Sequence, residues 1–130
     1  MIQANELRRG NILAYNGGGL CEVFAIEGDS VGVIDDIDPT YESLINLHYV
    51  PLTEDILLKC GFEKYDTDKA INYKLGGFRF SYVNDGKFKG KTYLTYGNVL
   101  SFTSHRAMEY LHSFQNLYWS LCQQELEIKL

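Results

Sequence analysis

The sequence predicts an α+β fold: an N-terminal small SH3-like antiparallel β-barrel or sheet, a short helix near 54–60, a second antiparallel β section, and a long C-terminal helix near 104–123. Three observations lead there. Short β-branched and aromatic runs, punctuated by Gly, Asn and Asp, fill residues 10–50 and 63–103. A capped, two-turn helix signature stands between them. After them, apolar residues recur with helical periodicity. With 130 residues, 45% of them hydrophobic, and only 2 prolines, the chain is long enough for one domain with its own core and too apolar for a disordered segment. Residues 1–62 and 63–130 are its candidate subdomains.

The first β section reads NILAY, LCEVFAIE, VGVID and SLINLHYV, each of normal strand length. Asn16-Gly17-Gly18-Gly19 and Gly28-Asp29-Ser30 supply hairpin turns, because Gly and Asn reach positive φ at little cost. A longer connection runs through Asp38-Pro39-Thr40. In LCEVFAIE both alternating faces are partly apolar. Short antiparallel strands of this kind suggest a curled sheet or an SH3-like barrel, which is an architecture and not a function.

PLTEDILLKCGF carries the short helix. Thr53 is placed to cap it, Glu54 and Asp55 put negative charge at the positive end of the helix dipole, and Ile56, Leu57 and Cys60 form its apolar face. Gly61 is placed to take a left-handed conformation beyond the last turn. A helix this short depends on tertiary packing.

INYKL, FRFSYV, KTYLTYG and NVLSF return to strand chemistry, with turns at Gly76-Gly77 and Asn84-Asp85-Gly86. Phe78, Phe80 and Tyr82 fall on one face of their strand, and Arg79, Ser81 and Val83 on the other. In the C-terminal helix, Ala107, Tyr110, Leu111, Phe114, Leu117, Tyr118, Leu121 and Cys122 share one arc. Glu109, His112, Ser113, Asn116, Ser120 and Gln123 occupy the opposite side, and Met108 and Trp119 share a narrow line on the shoulder. ELEIK at 125–129 alternates and reads as a last strand or an ordered tail. No repeat, low-complexity tract or linker interrupts the chain.

Charge is unevenly placed. The 12 Lys and Arg against 17 Asp and Glu give −5 overall. Residues 1–63 hold 3 basic and 11 acidic side chains, whereas residues 64–106 hold 8 basic and 3 acidic ones. The chain as a whole is therefore not drawn to phosphate, but its second β section is locally cationic. The N-terminus lacks the apolar stretch of a signal peptide, and no apolar run approaches the roughly 20 residues that span a bilayer. Cys21, Cys60 and Cys122 are far apart and form no CxxC pair, so they read as inert thiols in a reducing compartment. The expected setting is cytoplasmic, without a membrane partner.

The residues support no catalytic signature. His48, His105 and His112 have no metal-site spacing, and the last two read as solvated histidines on one helix surface. Asp35-Asp36-Ile37-Asp38 lacks the glycine and terminal glutamate of a calcium loop. Asn16-Gly17-Gly18-Gly19 lacks the Lys-Ser/Thr of a phosphate loop. No metal, cofactor or enzymatic activity is expected. Two surfaces remain. Trp and its neighbours on the last helix, namely Met108, Gln115, Asn116 and Trp119, are the candidates for contact with a protein partner or a second copy; the alternatives are that the Met108–Trp119 line only widens the core contact and that Gln115 and Asn116 bond a neighbouring loop. Arg79, Lys87, Lys89, Lys91 and Tyr93, among Phe78, Phe80, Tyr82, Phe88 and Tyr96, combine cations with aromatic platforms, the alternative being a nucleic-acid interface over residues 78–96.

Asn5-Glu6-Leu7-Arg8 with Gly10-Asn11, VPLTEDILLKCGFEK at 50–64 and YLHSFQNLYWSLCQQELEIKL at 110–130 give the chain a family likeness. It resembles a family of small uncharacterised proteins of phages, prophages and mobile elements of gut-dwelling anaerobic bacteria. The resemblance covers nearly the whole length, more loosely over 66–103. It implies a phage-related origin and a cytoplasmic setting, and assigns no activity. The expected function is that of a non-enzymatic accessory protein acting through protein–protein interaction.

Overall fold

The computed structural model describes residues 2–36, 38–87, 89–97, 100–102 and 106–129. The fold is α+β, built from two antiparallel sheets, one short helix and one twelve-residue C-terminal helix. The first sheet contains β1 (Ile12–Tyr15), β2 (Leu20–Glu27), β3 (Ser30–Ile34), β4 (Pro39–Ser43) and β5 (Leu47–His48), in the order β4-β3-β2-β1-β5. The second contains β6 (Glu63–Asp66), β7 (Ala70–Leu75), β8 (Phe78–Val83), β9 (Thr92–Tyr96) and the three-residue edge strand β10 (Leu100–Phe102), in sequential order.

The first sheet departs from the expected boundaries in three places. Pro39 opens a strand instead of lying in a loop. It does so at the sheet edge, where its missing N–H costs no ladder bond. SLINLHYV is mostly not strand: Leu44–Asn46 form a 3-10 turn and only Leu47–His48 pair with β1. No ladder among the described residues joins β4 to β5, so the sheet does not close into a barrel. The inner face of this sheet nevertheless has a core of its own, with Leu13, Cys21, Val23, Val31, Val33, Leu44 and Leu47 buried together with Ile2 and Leu7.

The short helix α1 (Glu54–Lys59) follows the local chemistry. Thr53 Oγ1 accepts from Ile56 N at 3.3 Å, and Gly61 takes φ +93 just beyond the last turn. Strand β8 also follows its pattern. Phe78 and Phe80 are 1% and 4% exposed while Arg79 on the reverse face is open to solvent. The second core gathers Phe62, Phe78, Phe80 and Leu94 around Phe114, whose ring lies 5.2 to 5.6 Å from three of those phenyl rings.

The C-terminal helix is shorter than its periodicity predicts. The α-helix, α2, is Leu111–Cys122, preceded by a separate 3-10 turn at Arg106–Met108. Residues 104 and 105 lie outside the described residues. Tyr110 breaks the helix by turning extended (φ −130, ψ 140) and bridging Pro51. Leu52 N donates to Glu109 O at 2.9 Å and Leu111 N to Val50 O at 2.8 Å. These long-range bonds replace the intrahelical ones that local propensity favours. At the other end Gln123 turns left-handed at φ 56, and residues 125–129 continue without strand pairing. That tail is fixed by Lys129 N donating to Lys59 O at 2.8 Å and by burial of Leu126.

Candidate functional site

The polar side of α2 is only partly open to water: Ser120 is exposed, whereas His112 and Gln115 are buried. Gln115 is 2% exposed and both polar atoms of its amide are bonded: Nε2 donates to Gly10 O at 2.9 Å and Oε1 accepts from Ile12 N at 2.8 Å. Asn116 Nδ2 donates to Glu6 O at 3.0 Å, and its Oδ1 accepts from Asn11 Nδ2 at 2.8 Å and Arg8 Nε at 3.2 Å. Arg8 also pairs with Glu125, one contact running from Nη2 to Oε2 at 3.3 Å. Of the two readings of Gln115 and Asn116, the bonds follow the one that ties them to a neighbouring segment, and partner contact gives way to it. They fasten α2 to the segment that leads into β1. Residues 6–12 and 115–125 are thus two halves of one clasp.

The expected Met108–Trp119 line is also broken, because Met108 sits on the separate 3-10 turn. Its side chain packs half-buried against the second core and borders a cavity of about 350 Å³ between α1 and the second sheet. Trp119 is 38% exposed and carries the Arg8 guanidinium 5.3 Å from its ring centroid, a cation–π contact within the chain. His112, expected on the surface, is fully buried and stacks on Tyr49 at 4.5 Å and 8°. His48 Nε2 contacts Asn16 Oδ1, and His105 lies outside the described residues. Among the described residues no three His, Cys, Asp or Glu side chains converge to hold a metal ion.

The basic aromatic segment divides between two faces. Phe78 and Phe80 belong to the core, and Tyr82 shares their face at 47% exposure. Tyr93 pairs with Ser81 and lies on the same outer face as Arg79. Lys87, Lys89 and Lys91 are exposed along the β8–β9 connection, and Phe88 is outside the described residues.

The sheet surface that the sequence pattern missed lies on the outer side of β2, β3 and β4. The β2–β3 register shifts between Val23 and Ala25, which sets Phe24 aside as the extra residue of a bulge. Its ring covers Gly32, where a Cβ would meet Phe24 Cζ at 2.6 Å. Tyr41, paired with Gly32 on the next strand, meets the Phe24 ring edge-on at 5.7 Å and is itself 54% exposed. Ile34, 39% exposed, lies on the same face. A bulge and an in-strand glycine both weaken a sheet, and here they seat an aromatic ring on the side away from the sheet's own core. The signal was legible only as the two-faced apolarity of LCEVFAIE.

Beside this platform lies a groove of about 740 Å³ between the outer face of β2 and β3 and the C-terminal tail. Leu20, Phe24, Ile34 and Ile128 give it apolar walls; Glu22, Asp35, Asp36 and Glu125 give it carboxylates; Arg9 is the cation among the described lining residues. Asp35 accepts from the Tyr15 hydroxyl at 3.2 Å and from Asp38 N at 3.2 Å, which holds the acidic loop against β1. Burial, then Cys21 and Asp35, push the Tyr15 phenol up to about 12, so it remains a neutral donor. Burial likewise pushes the Cys21 and Cys60 thiols up to about 11, which keeps them protonated and poorly nucleophilic. No helix among the described residues is long and apolar enough to cross a membrane. Comparison with protein-family models, curated proteins and solved structures returned no match.

Proposed function

We propose that this chain is a non-enzymatic accessory protein of a phage or mobile element, cytoplasmic, whose first sheet binds a basic, apolar-anchored segment of a protein partner. The single observation behind this reading is the Phe24–Gly32–Tyr41 platform. Two destabilising devices, a bulge and a glycine, hold an aromatic pair toward solvent next to an open groove. The groove's carboxylates, facing one arginine, favour a partner segment rich in Lys or Arg. Its apolar walls suit one or two aliphatic or aromatic anchors. We read the surrounding sheet as SH3-like, for three reasons: β1–β4 form a meander, the chain passes through a 3-10 turn at Leu44–Asn46, and β5 returns to pair with β1. The buried, protonated thiols suit a reducing compartment. The phage-related setting rests on the resemblance described above.

An array of short peptides in which Lys or Arg alternates with Leu, Phe or Tyr tests the reading. Wild-type protein should retain a subset of these peptides, with affinity falling as salt rises. Phe24→Ser and Ile34→Asp should each abolish retention while leaving the melting curve nearly unchanged. Equal retention by the variants, or a preference for acidic peptides, would overturn it.

A further inference from the structure

We propose that the outer face of the second sheet is a platform for single-stranded nucleic acid, independent of the first-sheet groove. Strand register fixes which side chains share that face. One row runs Tyr65, Asn72, Ser81, Tyr93 across four strands. The next row places Lys74 beside Arg79, with Glu63 at its edge the carboxylate among the described residues of these two rows. Lys91 extends the face past Tyr93, its carbonyl accepting from Val83 N at 2.9 Å. Tyr65 is 40% exposed, and Lys74, Arg79 and Lys91 are open to solvent.

Asn72 is only 6% exposed although it lies on this outer face, and Ser81 Oγ donates to its Oδ1 at 2.7 Å. The two tyrosines therefore flank a closed polar strip, three strand spacings or roughly 14 Å apart. Phenol rings offer stacking surfaces to unpaired bases, and flanking cations meet the phosphates. Attraction must come from this face alone, because the whole chain carries −5 and repels phosphate at a distance. The surface differs from the stretch the sequence points to: Phe78 and Phe80 are core, and the tyrosines that share the face of Arg79 are Tyr65 and Tyr93.

The test is fluorescence anisotropy with labelled oligothymidylate and oligouridylate of about 15 nucleotides at about 50 mM salt. Binding is expected, with log K falling against log salt at a slope of roughly −2, as for three phosphate contacts on a single strand. Tyr65→Ala should weaken binding about 5- to 160-fold, the range of one lost base stack. The double variant Lys74→Glu/Arg79→Glu should remove it, and Phe24→Ser on the other sheet should leave it unchanged. Tyr93→Leu, which keeps the half-buried position filled, serves as a second stacking variant. Four results would each overturn the proposal: no binding at this salt; binding indifferent to Tyr65 and Tyr93; loss of binding with Phe24→Ser; or flat anisotropy while Lys74→Glu/Arg79→Glu changes the sedimentation of the protein itself, which would assign the face to contact between copies.

Discussion

The two sides of α2 join the two halves of the molecule by opposite chemistry. Toward the second sheet, Phe114 sits within a cage of phenyl rings formed by Phe62, Phe78 and Phe80, with Tyr118 stacked near Phe78 at 5.6 Å. Toward the first half, Gln115 and Asn116 bond the backbone and side chains of residues 6–12. The aromatic joint gains from area removed from water and tolerates small shifts. The amide joint has modest net worth, but its groups are costly to leave unpaired, so it fixes position more than it adds stability. One helix thus carries both the strength and the alignment of the assembly.

Breaking the aromatic side should have the largest effect. Phe114→Ala removes a fully buried ring and should cost about 3–5 kcal/mol. Against a total of about 5–15 kcal/mol, chemical denaturation should show a strongly lowered midpoint or no cooperative transition. Gln115→Leu comes next. It keeps the volume but strands the Ile12 N–H and the Gly10 carbonyl, for a loss of about 1–3 kcal/mol. If Gln115→Leu costs more than Phe114→Ala, the amide joint and not the aromatic one carries the strength.

Trp119→Ala tests the margin of the amide side. It should lower Tm by a few degrees, about 1 kcal/mol, by removing the ring under Arg8, with sedimentation unchanged. A change in mass without loss of stability would instead restore Trp119 as a partner anchor. Glu54→Gln should have the smallest effect. Lys64 first, then Tyr73, hold the Glu54 carboxyl below its ordinary 4.5. The contact therefore stabilises the fold above that value and loses its effect as pH falls through the depressed one. Wild type and Glu54→Gln should differ slightly in thermal melts at pH 7 and converge in acid.

Periodicity gave the element types, because Phe78/Phe80 against Arg79 and the arc around Phe114 are local patterns. What local pattern could not give was which polar residues have a partner 100 residues away. A helical wheel assigns His112 and Asn116 to water by their polarity, yet His112 stacks on Tyr49 and Asn116 bonds Glu6 and Asn11, all distant in sequence. The same limit explains the helix start. Residues 106–110 are helical by composition, and the bridge from Tyr110 to Pro51 overrides that preference. At the first sheet, LCEVFAIE showed two apolar faces but not the bulge that turns Phe24 over Gly32, since a bulge is a property of the pair of strands.

The clasp between residues 6–12 and 115–125 also orders events during synthesis. Its bonds span 103 to 117 positions, from Gln115 on Ile12 to Glu125 on Arg8. The first sheet emerges from the ribosome with the residues of its own core complete, whereas the phenyl cage over the second sheet waits until Phe114 has been added. A message truncated before Leu111 would release a chain whose first half is able to fold and whose second half presents bare phenylalanine to its neighbours.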